Sequence, residues 1–134
     1  VTPAPRRRAG ARTLILIDAA NVVGSVPDGW WRDRAGAAER LRDALAAEGP
    51  AALPGAAADA EVVLVVEGAA RRVRSVPGVE VVAASGSGDD EIVELTSRSQ
   101  HREVIVVTAD RGLRERVGRV GARVVGPNAL RIRR

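Results

Sequence analysis

The sequence contains no cysteine, lysine, methionine, phenylalanine or tyrosine. Without cysteine there is no disulfide, no disulfide-linked partner and no thiolate metal site. Any metal must then take oxygen ligands or the single His101. The only aromatic side chains besides that histidine are the adjacent Trp30 and Trp31. Val, Leu, Ile and Ala therefore have to fill the core. Such a mix suits parallel strands buried on both faces, which read as continuous aliphatic runs. No apolar stretch approaches the roughly 20 residues of a membrane span. The basic start of the chain lacks the apolar core of a signal peptide. A cytoplasmic protein with no membrane contact is the expectation. The 134 residues match one ordinary domain, long enough to bury a core without staples.

Charge is unevenly placed. The net charge is +4, and four arginines lie in the leader (Arg6, Arg7, Arg8, Arg12) and three at the end (Arg131, Arg133, Arg134). Setting these seven aside leaves a body three charges negative. Basic ends can hold a polyanion while an acidic site acts on it; they also simply aid solubility. The expected organisation is a disordered basic leader over residues 1–11, one domain over 12–130 and a basic tail over 131–134.

Five short aliphatic runs read as strands: residues 13–18, 61–67, 79–84, 103–108 and 122–126. Between them, residues 30–47 carry Trp31, Ala35, Ala38, Leu41 and Leu45 at helical spacing, with Asp28 as a candidate cap. A short helical turn is expected over 71–76. Further helices are expected from Asp89 or Asp90 to Ser99 and over 110–120, and residues 49–60 read as an irregular linker. Strands alternating with helices predict an α/β domain around a mostly parallel five-stranded sheet, with right-handed crossovers and helices on both faces.

The acids share one context. Asp18 ends the first strand, Asp89 and Asp90 open the helix after the third, and Asp110 follows the fourth. In open α/β sheets the ligand crevice lies outside the carboxyl ends of the strands, where strand order reverses. If the first and fourth strands are neighbours, Asp18 and Asp110 face each other there. Carboxylates gathered this closely need protons or a cation. A hard divalent ion such as Mg²⁺ or Mn²⁺ takes oxygen ligands and can activate water against a phosphodiester. Asn21 can orient water or a ligand without adding charge. Thr108 can hydrogen-bond a carboxylate or a phosphate. Asp after a strand is also a common helix N-cap, so spacing alone leaves both uses open.

Three segments resemble the motifs of NYN-type nucleases of the PIN-like superfamily. Leu14-Ile15-Leu16-Ile17-Asp18-Ala19-Ala20-Asn21 looks like the opening motif, an apolar strand ending in Asp with Asn three residues later. Gly88-Asp89-Asp90-Glu91-Ile92-Val93-Glu94-Leu95 is similar to the mid-chain motif, and Val106-Val107-Thr108-Ala109-Asp110-Arg111 to the late one. The resemblance spans residues 13–126 and is greatest to the small bacterial branch of predicted RNA-cleaving proteins. It implies a three-layer α/β/α PIN-like (Rossmann-like) fold and Mg²⁺- or Mn²⁺-dependent endonucleolytic cleavage, usually of RNA. By position, Asp18, Asp90 and Asp110 match the metal-binding acids and Asn21 the motif Asn. Asp89 is the adjacent alternative, because the register within Gly88-Asp89-Asp90 is open by one. The sequence departs from the pattern at Ala19-Ala20, where relatives often have Gly and an aromatic residue. Asp33 and Glu39 match only loosely the further acid that many PIN-like proteins carry.

Other features are weaker. Glu67-Gly68 closes the second strand, and if that strand neighbours the first, Glu67 becomes a further acid near Asp18. The pair is also similar to the Glu-Gly of Toprim nucleases and primases, but their later Asp-x-Asp is Thr108-Ala109-Asp110 here. Trp30-Trp31 can stack on bases, though such a pair more often seals a helix end. His101 is expected to face solvent, and without a positioned nucleophile it makes no hydrolytic triad. Ser85-Gly86-Ser87-Gly88 can cradle a phosphate only through a metal, since Asp89 and Asp90 repel an anion. Arg111, Arg114 and Arg116 are candidates for contacting a nucleic-acid backbone. The leading expectation is a metal-dependent ribonuclease with RNA as partner. A catalytically idle binding module and a small-molecule phosphohydrolase are the alternatives. A homodimer is compatible with the sequence but not specified by it.

Overall fold

The computed structural model describes residues 11–133. Nearly all of the leader, and the final Arg134, lie outside the described residues. Five strands form: β1 (Leu14–Asp18), β2 (Glu61–Val66), β3 (Glu80–Ala83), β4 (Val104–Val107) and β5 (Arg123–Val125). They make one sheet in the order β3-β2-β1-β4-β5, and every pairing is parallel. This is the expected α/β architecture, a PIN-like fold with helices on both sides of the sheet.

The aliphatic runs explain why the sheet holds. Side chains alternate across a strand, so each central strand feeds two cores. Ile15 and Ile17 of β1, Leu64 and Val66 of β2, and Ile105 and Val107 of β4 pack on one face. Leu14, Leu16, Val63, Val65, Val104 and Val106 pack on the other. The first face is covered by α1 (Ala19–Gly24) and α2 (Arg34–Glu48), and the second by α3 (Gly88–Arg98) and α4 (Arg111–Arg119). Ala35, Ala38, Leu41 and Leu45 form the buried stripe of α2, and its alanines let the helix lie close to a sheet that has no large aromatic residues to accommodate.

Several local expectations are corrected. The chain turns directly from β1 into α1, a six-residue helix too short for its periodicity to be visible and rich in β-branched residues. Trp30–Arg32 form a separate 3-10 turn, and α2 begins only after Asp33, whose carboxylate accepts from the Gly36 N–H at 2.9 Å. The cap is thus Asp33 and not Asp28. The helical turn after β2 spans Gly68–Arg72 rather than starting at Arg71. Residues 49–60 are not wholly irregular, since Gly49–Ala52 make another 3-10 turn. The cap of α3 is Ser87, whose hydroxyl accepts from the Asp90 N–H at 3.2 Å, so neither Asp89 nor Asp90 caps it. At the end of the domain, the Arg131 N–H donates to the Ala52 carbonyl at 2.7 Å and Ile132 packs against the first core. His101 is exposed, as expected. Among the described residues no helix is long and apolar enough to cross a membrane.

Leu64 is fully buried on the inner strand β2. Leu64→Ala is expected to lower unfolding stability by about 2–5 kcal/mol, the range for a large-to-small change in a close-packed core. Urea denaturation monitored by circular dichroism checks this.

Candidate functional site

Strand order reverses between β1 and β4, which lie side by side with Ile17 opposite Val107. That is where the crevice of an open parallel sheet is expected. Asp18 is the last residue of β1, and Thr108 follows β4 directly. The Thr108 hydroxyl donates to Asp18 Oδ2 at 2.9 Å and accepts from the Asp110 N–H at 3.1 Å. The other Asp18 oxygen accepts from the Asn21 N–H at 3.4 Å, capping α1. A second tie runs parallel to the first: Asn21 Oδ1 accepts from the Ala109 N–H at 2.8 Å. The N–H donor fixes which side of the amide is oxygen, so the Asn21 NH₂ group points elsewhere and no protein group among the described residues takes it. Two corners, β1–α1 and β4–α4, are thereby pinned together.

Thr108 is completely buried with its hydroxyl engaged on both sides. It braces the acids and is not placed to contact a substrate. Arg111, at the start of α4, is exposed and stands on the same rim. Arg114 instead turns back to the Thr108 carbonyl at 3.1 Å, and Arg116 pairs with Asp90 at 2.9 Å.

The two mid-chain acids part company because they sit on consecutive positions of a helix, which point about 100° apart. Asp90 is exposed and bound to Arg116, whose hydrogen bond, with a lesser one from Ser87, holds its carboxyl below the usual range. Asp89 is half-buried and faces the negative charges of Asp110 and Glu67. Its carboxyl is raised, first by burial and then by those two acids, with Arg116 pulling weakly the other way. The geometry therefore groups Asp89, rather than Asp90, with Asp18 and Asp110.

Glu67 joins this group because β2 does neighbour β1. Its carboxylate lies against the first turn of α3, so close that a Cβ on Gly88 would stand 2.9 Å from Glu67 Oε1. A side chain at position 88 would have to push the end of Glu67 aside. Gly68 then takes a left-handed backbone, φ +57°, and turns the chain away. Asp33 caps α2 and Glu39 is exposed beside Arg42, Arg72 and Arg74, so neither reaches the acids.

Burial pushes the Asp18 carboxyl up to about 6. The Thr108 and Asn21 hydrogen bonds pull it down, and the charges of Asp89 and Glu67 push it further up. Four carboxylates thus share one sheet edge, and burial first, with their mutual repulsion added to it, raises the carboxyls of Asp18 and Asp89. Among the described residues no three acidic or histidine side chains converge tightly enough to enclose an ion by themselves. Asp110 uses Oδ1 to cap α4 through the Leu113 N–H at 2.9 Å, which leaves its Oδ2 available.

An acid raised in the folded state makes its ionised form a cost. That cost is absent below pH 3.8, builds as pH rises, and is complete above about 6. Asp18→Asn is expected to be more stable than the parent at pH 7.5 without divalent ions, by on the order of 1–2 kcal/mol, with the gap closing by pH 4. Denaturation midpoints measured across this range test it; a gap that persists at pH 4 excludes the electrostatic cause.

No family model and no curated protein matches the chain. Among solved structures it is similar to Rae1 (YacP) from Bacillus subtilis, with a TM-score of 0.64 over 87% of this chain and 71% of that one, at 17% identity. At that identity the likeness establishes a shared fold.

Proposed function

We propose that the chain is a metal-dependent endoribonuclease that hydrolyses RNA phosphodiesters at the β1–β4 crevice. The observation that carries this reading is the set of four carboxylates, Asp18, Glu67, Asp89 and Asp110, at the switch point, none of which forms an ion pair among the described residues. The motif resemblance and the fold shared with Rae1 (YacP) support the same reading. The donor set is all oxygen, which suits Mg²⁺ or Mn²⁺. Mg²⁺ usually keeps several waters and takes one or two carboxylates plus substrate phosphates. Such a mode does not require three preassembled protein ligands, and it is compatible with an edge where, among the described residues, no three acids converge tightly. Bound there, the ion supplies Lewis-acid stabilisation of the phosphoryl oxygens and lowers the pKa of water.

The chain's own residues do the positioning. Asp18 is the fixed point, held by Thr108 and the start of α1. Asp110 offers its free oxygen and Asp89 and Glu67 close the opposite side. The Asn21 NH₂ group donates to water or a phosphate oxygen while its carbonyl keeps the loops together. Arg111 meets the backbone of the strand on the exposed rim. Asp90 plays no direct part.

The test is cleavage of single-stranded and structured RNA with Mn²⁺ or Mg²⁺. Asp18→Asn, Asp89→Asn and Asp110→Asn are each expected to lower the rate about 100-fold or more. Asp90→Asn is expected to stay within about threefold, since an exposed ion pair is worth little. An Asp18→Asn protein that cuts as fast as the parent rejects the mechanism.

The absence of a tight three-acid cluster among the described residues also favours a second reading, an RNA-binding module of the same fold without turnover. Metal titration separates the two. Millimolar Mn²⁺ is expected to raise the melting temperature of the parent and not that of Asp110→Asn. If it moves neither, the idle module stands.

A further inference from the structure

We propose that the cavity beside the acidic edge is a nucleobase subsite, seating one unpaired base of the RNA next to the phosphate being cut. The proposal rests on the nuclease reading above. The cavity measures about 280 Å³ and opens between α1, α2 and the turn after β2. Ligand pockets that enclose drug-sized molecules run from about 300 to 1,000 Å³, so this one suits a single planar ring system rather than a whole nucleotide.

Its position ties it to the acids. Ala19 and Ala20 follow Asp18 directly, and Glu67 lines the cavity while belonging to the carboxylate group. The small side chains at 19 and 20 leave the space open. Its wall carries the two flat groups that recognise bases. Trp30 is half-buried at the edge of the core, and the Arg34 guanidinium lies over its ring, 5.3 Å from the centroid. Aromatic rings and guanidinium planes are the usual platforms for splayed-out bases of single-stranded RNA.

Arg34 adds charge as well as surface. It sits in the first turn of α2, where a cation runs against the helix dipole, and it forms no ion pair among the described residues. Its N–H groups remain available to the phosphate that follows the seated base. Trp31 takes no part: it packs edge-on against Trp30 at 6.0 Å and is otherwise exposed.

The experiment uses the full chain carrying Trp31→Phe, so that emission reports Trp30 alone, in EDTA at low salt. A single-stranded RNA pentamer is expected to quench Trp30 saturably. A pentamer of the same ribose-phosphate backbone without bases is expected to bind about tenfold more weakly or worse. Ala20→Phe, at an exposed position whose substitution fills the cavity mouth, is expected to weaken the pentamer about tenfold, and Arg34→Gln to weaken it less. Equal binding of the abasic pentamer, or parental binding by Ala20→Phe, overturns the subsite. Cleavage with Mn²⁺ separates this from the nuclease reading. A protein that cuts RNA equally well with and without Ala20→Phe keeps the nuclease and loses the subsite. One that binds the base through Trp30 but fails to cut RNA with either Mn²⁺ or Mg²⁺ keeps the subsite and loses the nuclease.

Discussion

The hydrogen bond from Thr108 to Asp18, 2.9 Å long and buried, joins the ends of the two strands between which the sheet changes direction. Both partners are nearly inaccessible to water, and a buried carboxylate left without a donor costs far more than a satisfied one. The bond therefore ties the carboxyl ends of β1 and β4 together beyond the register that their backbone pairing sets. The β1–α1 and β4–α4 corners are built around it. The same hydroxyl receives the Asp110 N–H, and Asn21 reaches across to Ala109 beside it. Two loops that meet 90 residues apart in the chain become a single rigid corner.

Against that corner the protein sets unfavourable charge. Asp89 and Glu67 approach Asp18 and Asp110 from the third and second strands, and each adds to the cost of ionising its neighbours. Elsewhere the same protein pairs its acids in ordinary fashion: Asp90 with Arg116, Glu61 with Arg102, Asp43 with Arg42. The contrast matters, because a chain with this many arginines has no shortage of partners. Leaving one edge acidic raises the cost of ionising it, and under the nuclease proposal a divalent ion would offset that cost. The cavity beside that edge adds an apolar surface with Arg34, which has no ion pair among the described residues, and the proposed base and its phosphate would complement both.

Much of the architecture was legible from composition and pattern. Aliphatic runs buried on both faces mark the inner strands of a covered sheet, as in β1, β2 and β4, and the two shorter runs form its partly exposed edges, β3 and β5. The helices were harder. The six residues of α1 give no periodicity to read, and the start of α2 depends on Asp33 meeting Gly36 rather than on the hydrophobic stripe. At the site, Asp18, Asn21 and Asp110 could be named from their places at strand ends. The role of Thr108 could not, because whether a hydroxyl braces a carboxylate or meets a substrate depends on its burial.

By itself, then, the sequence determined the strands, their order of acids and the residue types that any metal must use, because periodicity and spacing are properties of the chain alone. The tertiary structure decided between Asp89 and Asp90, since a helix turns about 100° per residue and only packing of α3 against the sheet says which side faces in. It also brought Glu67 into the group, through the pairing of β1 with β2 and the room left by Gly88. Neither fact is local: each depends on where one element lies against another.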